Sequence, residues 1–139
     1  MKIAAIVARI LLGLLFTLMG AFGFVLVSGL VPVPPPPPGL ATTFTEVFFQ
    51  SRWVLFVDAI QLISGVLLLA NRYVVLAIVM LGAVLFNILV FHITMNPQGL
   101  PLPLVALALW IVLALRYRSY LMPLFVAKAV PDEAARAGG

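Results

Sequence analysis

The sequence predicts an all-α integral membrane protein, a four-helix bundle with both termini cytoplasmic. Three observations predict it. The 139-residue chain is 65% hydrophobic with a mean hydropathy of +1.27, where an average soluble domain is about 45–50% apolar. Charged residues make up only 9%, against about 25% in such a domain. The apolar residues also gather into four runs separated by polar or proline-rich breaks. A soluble fold of this length could not hide that much apolar surface, so lipid must cover it.

The first run covers residues 3–30 and is broken only by Arg9. It exceeds the roughly 20 residues that cross a bilayer. It is too long for a signal-peptide core and no A-x-A site follows, so it predicts an uncleaved span. Arg9 lies one to two turns into the span and is expected to snorkel to the cytoplasmic surface. Gly13, Thr17 and Ala21 form a small-residue stripe at i, i+4 and i+8 that lets another helix approach, within the bundle or from a second copy.

Residues 31–52 form an outer loop. Five consecutive prolines at 34–38 exclude a helix and predict a stiff polyproline II arm, a spacer or a docking strip. The segment TTFTEVFFQS at 42–51 predicts an amphipathic helix at the membrane surface. Thr42 or Thr43 is its expected cap, and Phe44, Val47 and Phe48 share one face.

Trp53 and Arg52 mark the start of the second run, 53–70. Asn71 and Arg72 make a very tight turn into the third, 73–95, so these two spans are antiparallel neighbours. The fourth run, 101–117, begins with Pro101 and Pro103, where missing backbone donors do little harm. Trp110 sits near its middle and needs an acceptor for its N–H, in the core or in a polar cluster. Residues 1–126 thus make the membrane domain, and 127–139 read as a solvated, mobile cytoplasmic tail.

Four spans put both termini on one side. Lys2, Arg9, Arg72, Arg116, Arg118, Lys128 and Arg136 share it, and Arg52 alone lies opposite. The positive-inside rule makes the seven-residue side cytoplasmic. The net charge of +4 and pI near 10.1 are therefore topology signals, with no basic face for nucleic acid. The absence of cysteine and the single histidine exclude a disulfide, a thiolate metal site, and bis-histidine haem ligation within one chain.

Ionisable groups inside spans are costly and mark candidate sites. Asp58, Gln61 and Gly65 lie on one face of the second span. Asn87 and His92 lie in the third. At about 1.5 Å per residue, Asp58 and His92 come out about 5–8 Å below the outer surface, and Gln61 and Asn87 near 12 Å. The expected cluster pairs Asp58 with His92 and Gln61 with Asn87, roofed by the proline loop and the 96–99 turn. Asn87 and His92 are about 140° apart around a helix, so they would flank a cleft from two edges. Such a cluster acts either as a hydrogen-bonded clamp or as a quinone or lipid-headgroup pocket. A metal site lacks a third strong ligand.

The segments ARILLGLLFTLMGAFGF, QLISGVLLLANR and NILVFHITMNPQGLPLPLVALALW resemble the DoxX-like family of small four-helix membrane proteins. The resemblance covers about residues 8–124 and is carried best by Asn87, His92 and the N-P-x-G-L-P block. It implies a place in the cytoplasmic membrane and an association with quinone-linked oxidoreductase complexes. The family takes its name from a subunit of a thiosulfate:quinone oxidoreductase, and distant relatives act as cargo receptors or assembly factors. A second-span Glu of the family falls near Asp58 or Gln61 here.

The sequence thus points to an accessory subunit without a redox centre of its own. It would bind a quinone or similar lipid near Asp58, Gln61, Asn87 and His92, with electrons coming from an oxidoreductase partner. The alternatives are a non-enzymatic scaffold, assembly or cargo protein, and a small transporter; a homo-oligomer is compatible with each of these roles.

Overall fold

The computed structural model of the protein describes residues 2–32 and 36–129. The described residues are helical with no strand. Helix α1 is Lys2–Ser28, α2 Leu40–Gln50, α3 Trp53–Leu69, α4 Val74–Thr94, α5 Pro101–Arg116 and α6 Arg118–Leu121. Short 3-10 turns occupy Pro97–Gly99 and Met122–Phe125. Part of the expected proline arm, residues 34 and 35, lies outside the described residues, as do most of the expected tail and Arg136.

The four long helices pack as a ring. Helix α1 lies against α3 and α5, and α4 closes the ring against the same two. The core is apolar and built from all four, with Leu12, Phe16, Leu68, Ile78, Leu81 and Leu113 sealed inside. Outside, the helices are equally apolar: Leu18, Phe22, Phe56, Phe86 and Ile93 are more than half exposed. Soluble monomers rarely show contiguous apolar surface on this scale.

Helices α1 and α4 are each long and apolar enough to cross a membrane. Helices α3 and α5, at 17 and 16 residues, reach only about 24–26 Å against a hydrocarbon core of about 30 Å. Each continues into a sharply bent neighbour, α2 at 86° and the α6 segment at 83°. Counting each bent pair as one span gives up to four, in keeping with a multi-pass membrane protein.

Local chemistry explains the breaks. Helix α1 stops at Ser28 and the chain turns at Gly29, whose φ of +73° is costly for any residue with a Cβ. The α3–α4 turn uses two left-handed residues, Asn71 and Tyr73. Pro101 opens α5, where its missing N–H costs nothing. Helix α2 begins two residues before the expected Thr cap. Gly39 is the N-cap, and Thr42 and Thr43 instead donate back to the carbonyls of Pro37 and Gly39.

Arg9 reaches toward the end of the bundle that carries Lys2, Asn71 and Arg116. Its guanidinium donates to the carbonyl of Leu68, and at 3.4 Å to that of Leu69. These are last-turn carbonyls of α3, of which Leu68 also accepts from the Asn71 N–H at 3.1 Å, and a cation there meets the negative end of the helix dipole. Trp110 packs against α4. Its Nε1–H donates to the Ile78 carbonyl at 2.8 Å, and its ring lies over Gly82, where a Cβ would come within 3.0 Å of Cζ2.

Candidate functional site

The four expected site residues fall in three places. Asp58 and Gln61 are buried, at 5% and 6% exposure, and Ser64 is fully buried. Of the three, Asp58 lies directly against α1. That contact is close because α1 presents Gly13, Thr17, Gly20 and Gly23 there. A Cβ on Gly65 would lie 2.5 Å from the Thr17 backbone nitrogen, and one on Gly20 would lie 2.7 Å from the Asp58 carbonyl oxygen. The Asp58 carboxylate occupies the space that a Cβ on Gly23 would need.

The small-residue stripe therefore works inside the chain. It continues through Gly20 and Gly23, while Ala21 is exposed. Spacing from Gly13 to Gly20, two helical turns, is the signal that identifies the true face. Four polar atoms are buried without a hydrogen-bond partner: Asp58 Oδ2 and Thr17 Oγ1 at the α1–α3 seam, and Gln61 Oε1 and Ser64 Oγ on α3.

Asn87 is exposed on α4, and its Nδ2 donates to the Ala83 carbonyl at 2.9 Å. The expected Gln61–Asn87 pair is not formed. Asn87 faces away from the seam because α4 turns Val84 and Leu85, not position 87, toward the core.

His92 also stands apart from Asp58. Its Nδ1 lies 2.8 Å from the Ile88 carbonyl oxygen. A carbonyl only accepts, so Nδ1 carries the proton and, in the neutral ring, Nε2 is an acceptor. The ring lines a cavity of about 90 Å³ between α1, α4 and α5, whose walls include Phe16, Met19, Leu85, Leu102 and Ala106. Gly99 closes the cavity beside the imidazole. A Cβ there would approach His92 Cδ2 to 2.6 Å and Nε2 to 2.8 Å. The expected roof over His92 by the 96–99 turn is thus present, through a glycine. Helix α2 reaches the same end, with Phe44 5.5 Å from Phe91 and Phe91 edge-on to His92 at 5.1 Å.

This arrangement can do one thing chemically: accept a hydrogen bond from a hydroxyl in an otherwise apolar slot. Among the described residues no three His, Cys, Asp or Glu side chains converge. No family model, curated protein or solved structure matches the chain.

Proposed function

We propose that the protein is a four-span bundle of the cytoplasmic membrane, with both ends cytoplasmic, and that it holds the head of a quinol-like lipid at His92. In this reading it is an accessory subunit of a membrane oxidoreductase complex. The observation that carries the reading is the His92 cavity, with apolar walls and one oriented acceptor. Ligand pockets of this kind combine apolar lining with few placed polar groups.

The volume limits the ligand. A cavity of about 90 Å³ is smaller than the roughly 150 Å³ that accommodates benzene. It admits a hydroxyl-bearing edge, while the rest of the ring and the tail stay at the helix surface among lipid. The hydroxyl donates to Nε2, beside which Gly99 carries no side chain. Asp58 serves the α1–α3 seam in this reading, and Asn87 stays outside the cavity. The chain offers no cysteine and one histidine, so electrons come from a partner with a flavin or metal. The DoxX-like resemblance of the 87–104 segment supports the quinone context.

A scaffold role is the second reading. Helix α2 favours it, because Phe44 and Val47 are 43% and 60% exposed on one face. Quinones extracted from protein purified in mild detergent distinguish the two. Near-stoichiometric quinone that drops at least tenfold in His92→Leu, with folding unchanged, supports the site. Equal trace amounts in both proteins refute it. Partner capture lost on deleting residues 34–38, with quinone absent, then favours the scaffold.

A further inference from the structure

A second cleft lies at the opposite end of the bundle from His92. It measures about 300 Å³, and its polar lining is Lys2, Arg9, Asn71, Arg116 and Tyr117. That volume is over three times the His92 cavity and enters the usual range for ligand pockets. Every formally charged group lining it is a cation. The two acids among the described residues, Glu46 and Asp58, are on α2 and at the far end of α3.

The cations come from different elements: Lys2 and Arg9 from α1, Arg116 from the last turn of α5. The Arg9 head is held in place by the Leu68 and Leu69 carbonyls through one of its amino groups. A guanidinium has five donors, so others remain for a ligand. Ala5 and Ile6 of α1 complete the lining. Tyr117 and Asn71 add neutral donors. Beside it, Ile3 and Ile6 are 78% and 51% exposed, an apolar surface leading away from the charged cleft.

Gathering three cations with no acid among them is unfavourable until an anion arrives. Multiple convergent N–H donors suit the oxygens of a phosphate. We propose that this cleft binds a phosphate group, carried by an anionic membrane lipid or by a free organic phosphate. The adjoining isoleucines fit the acyl chains of the first source. Basic pockets between membrane helices are recognised lipid-headgroup sites.

The test uses the full chain in a neutral detergent. The probes are dioctanoyl phosphatidylglycerol, dioctanoyl phosphatidylcholine and glycerol phosphate, with affinity read by titration. The wild type is expected to bind phosphatidylglycerol at least tenfold more tightly than phosphatidylcholine. Lys2→Gln with Arg116→Gln is expected to weaken binding about 5-fold per side chain, roughly 25-fold together. Both residues are exposed, so folding survives. Arg52→Gln at the other end and His92→Leu leave affinity unchanged, which separates this site from the quinol site. Glycerol phosphate binding as tightly as the lipid assigns the cleft to soluble phosphates. Binding of the lipid alone assigns it to the membrane. Equal affinity of wild type and double variant for every probe, or no preference for the anionic lipid, overturns the proposal.

Discussion

Gly65→Ala tests the close α1–α3 contact directly. The added Cβ would sit 2.5 Å from both the backbone nitrogen and Oγ1 of Thr17 and 2.8 Å from the Gly13 carbonyl oxygen. Unstrained contacts to carbon lie near 3.5 Å, so the helices must part by about 1 Å there. Two of the three obstructing atoms are backbone and cannot rotate away. A gap of that size forfeits a quarter to a half of each dispersion contact left behind. Overpacking of this kind costs about 1–3 kcal/mol, and the helix propensity of alanine returns at most about 1 kcal/mol. The expected net loss is about 1–2 kcal/mol. Gly82→Ala is the control, because its nearest obstacle is the edge of the Trp110 ring at 3.0 Å, which can give by a few tenths of an ångström. Equilibrium unfolding from a mild detergent into dodecyl sulfate, followed by fluorescence of Trp53 and Trp110, measures both. Gly20→Ala combined with Gly65→Ala should lose less than the sum, since one separation of the helices relieves both clashes. A Gly65→Ala protein as stable as the wild type, or no less stable than Gly82→Ala, refutes the reasoning.

The same unfolding assay checks three further expectations. Arg9→Gln should lose about 1–2 kcal/mol, because the Leu68 and Leu69 carbonyls lose a charged donor at the α3 C-terminus; Arg9→Lys should recover part of it. Trp110→Phe should lose about 1–2 kcal/mol by removing the bond to the Ile78 carbonyl and part of the ring. Ser64→Ala and Thr17→Val should stay within about 0.5 kcal/mol of wild type or gain stability, since neither hydroxyl has a partner to lose. A loss above 2 kcal/mol in either would mean that the hydroxyl is bonded across the seam.

Much of the architecture is legible in the hydropathy pattern. The four apolar runs at 3–30, 53–70, 73–95 and 101–117 coincide within two residues at each end with α1, α3, α4 and α5. The two-residue Asn71–Arg72 break allows nothing but an antiparallel pair, and α3 does pack on α4. The candidate site was less legible. Depth along a span follows from a fixed rise per residue, and on depth alone Asp58, Gln61, Asn87 and His92 lie together. Rotation about each helix axis depends on which neighbour it meets. Gly20 and Gly23 draw α1 close against α3 at Asp58, so the Asp58 carboxylate lies against α1. Asn87 then has its own chain's Ala83 carbonyl as its partner.

The sequence by itself determined the helical, strongly apolar character of the described residues, the positions of the helices and the turn that roofs His92. These follow from composition, proline placement and local spacing, which act within a few residues. Only the tertiary structure decided which polar groups meet. It split the expected cluster into unpaired buried groups on α3 and a separate imidazole cavity. It also joined Lys2 and Arg9 to Arg116, more than 100 residues further along the chain, in one cleft. The physical reason is that apolar runs of this kind are alike on every side. Helix rotation is therefore set by a few glycines and by close packing between segments far apart in sequence.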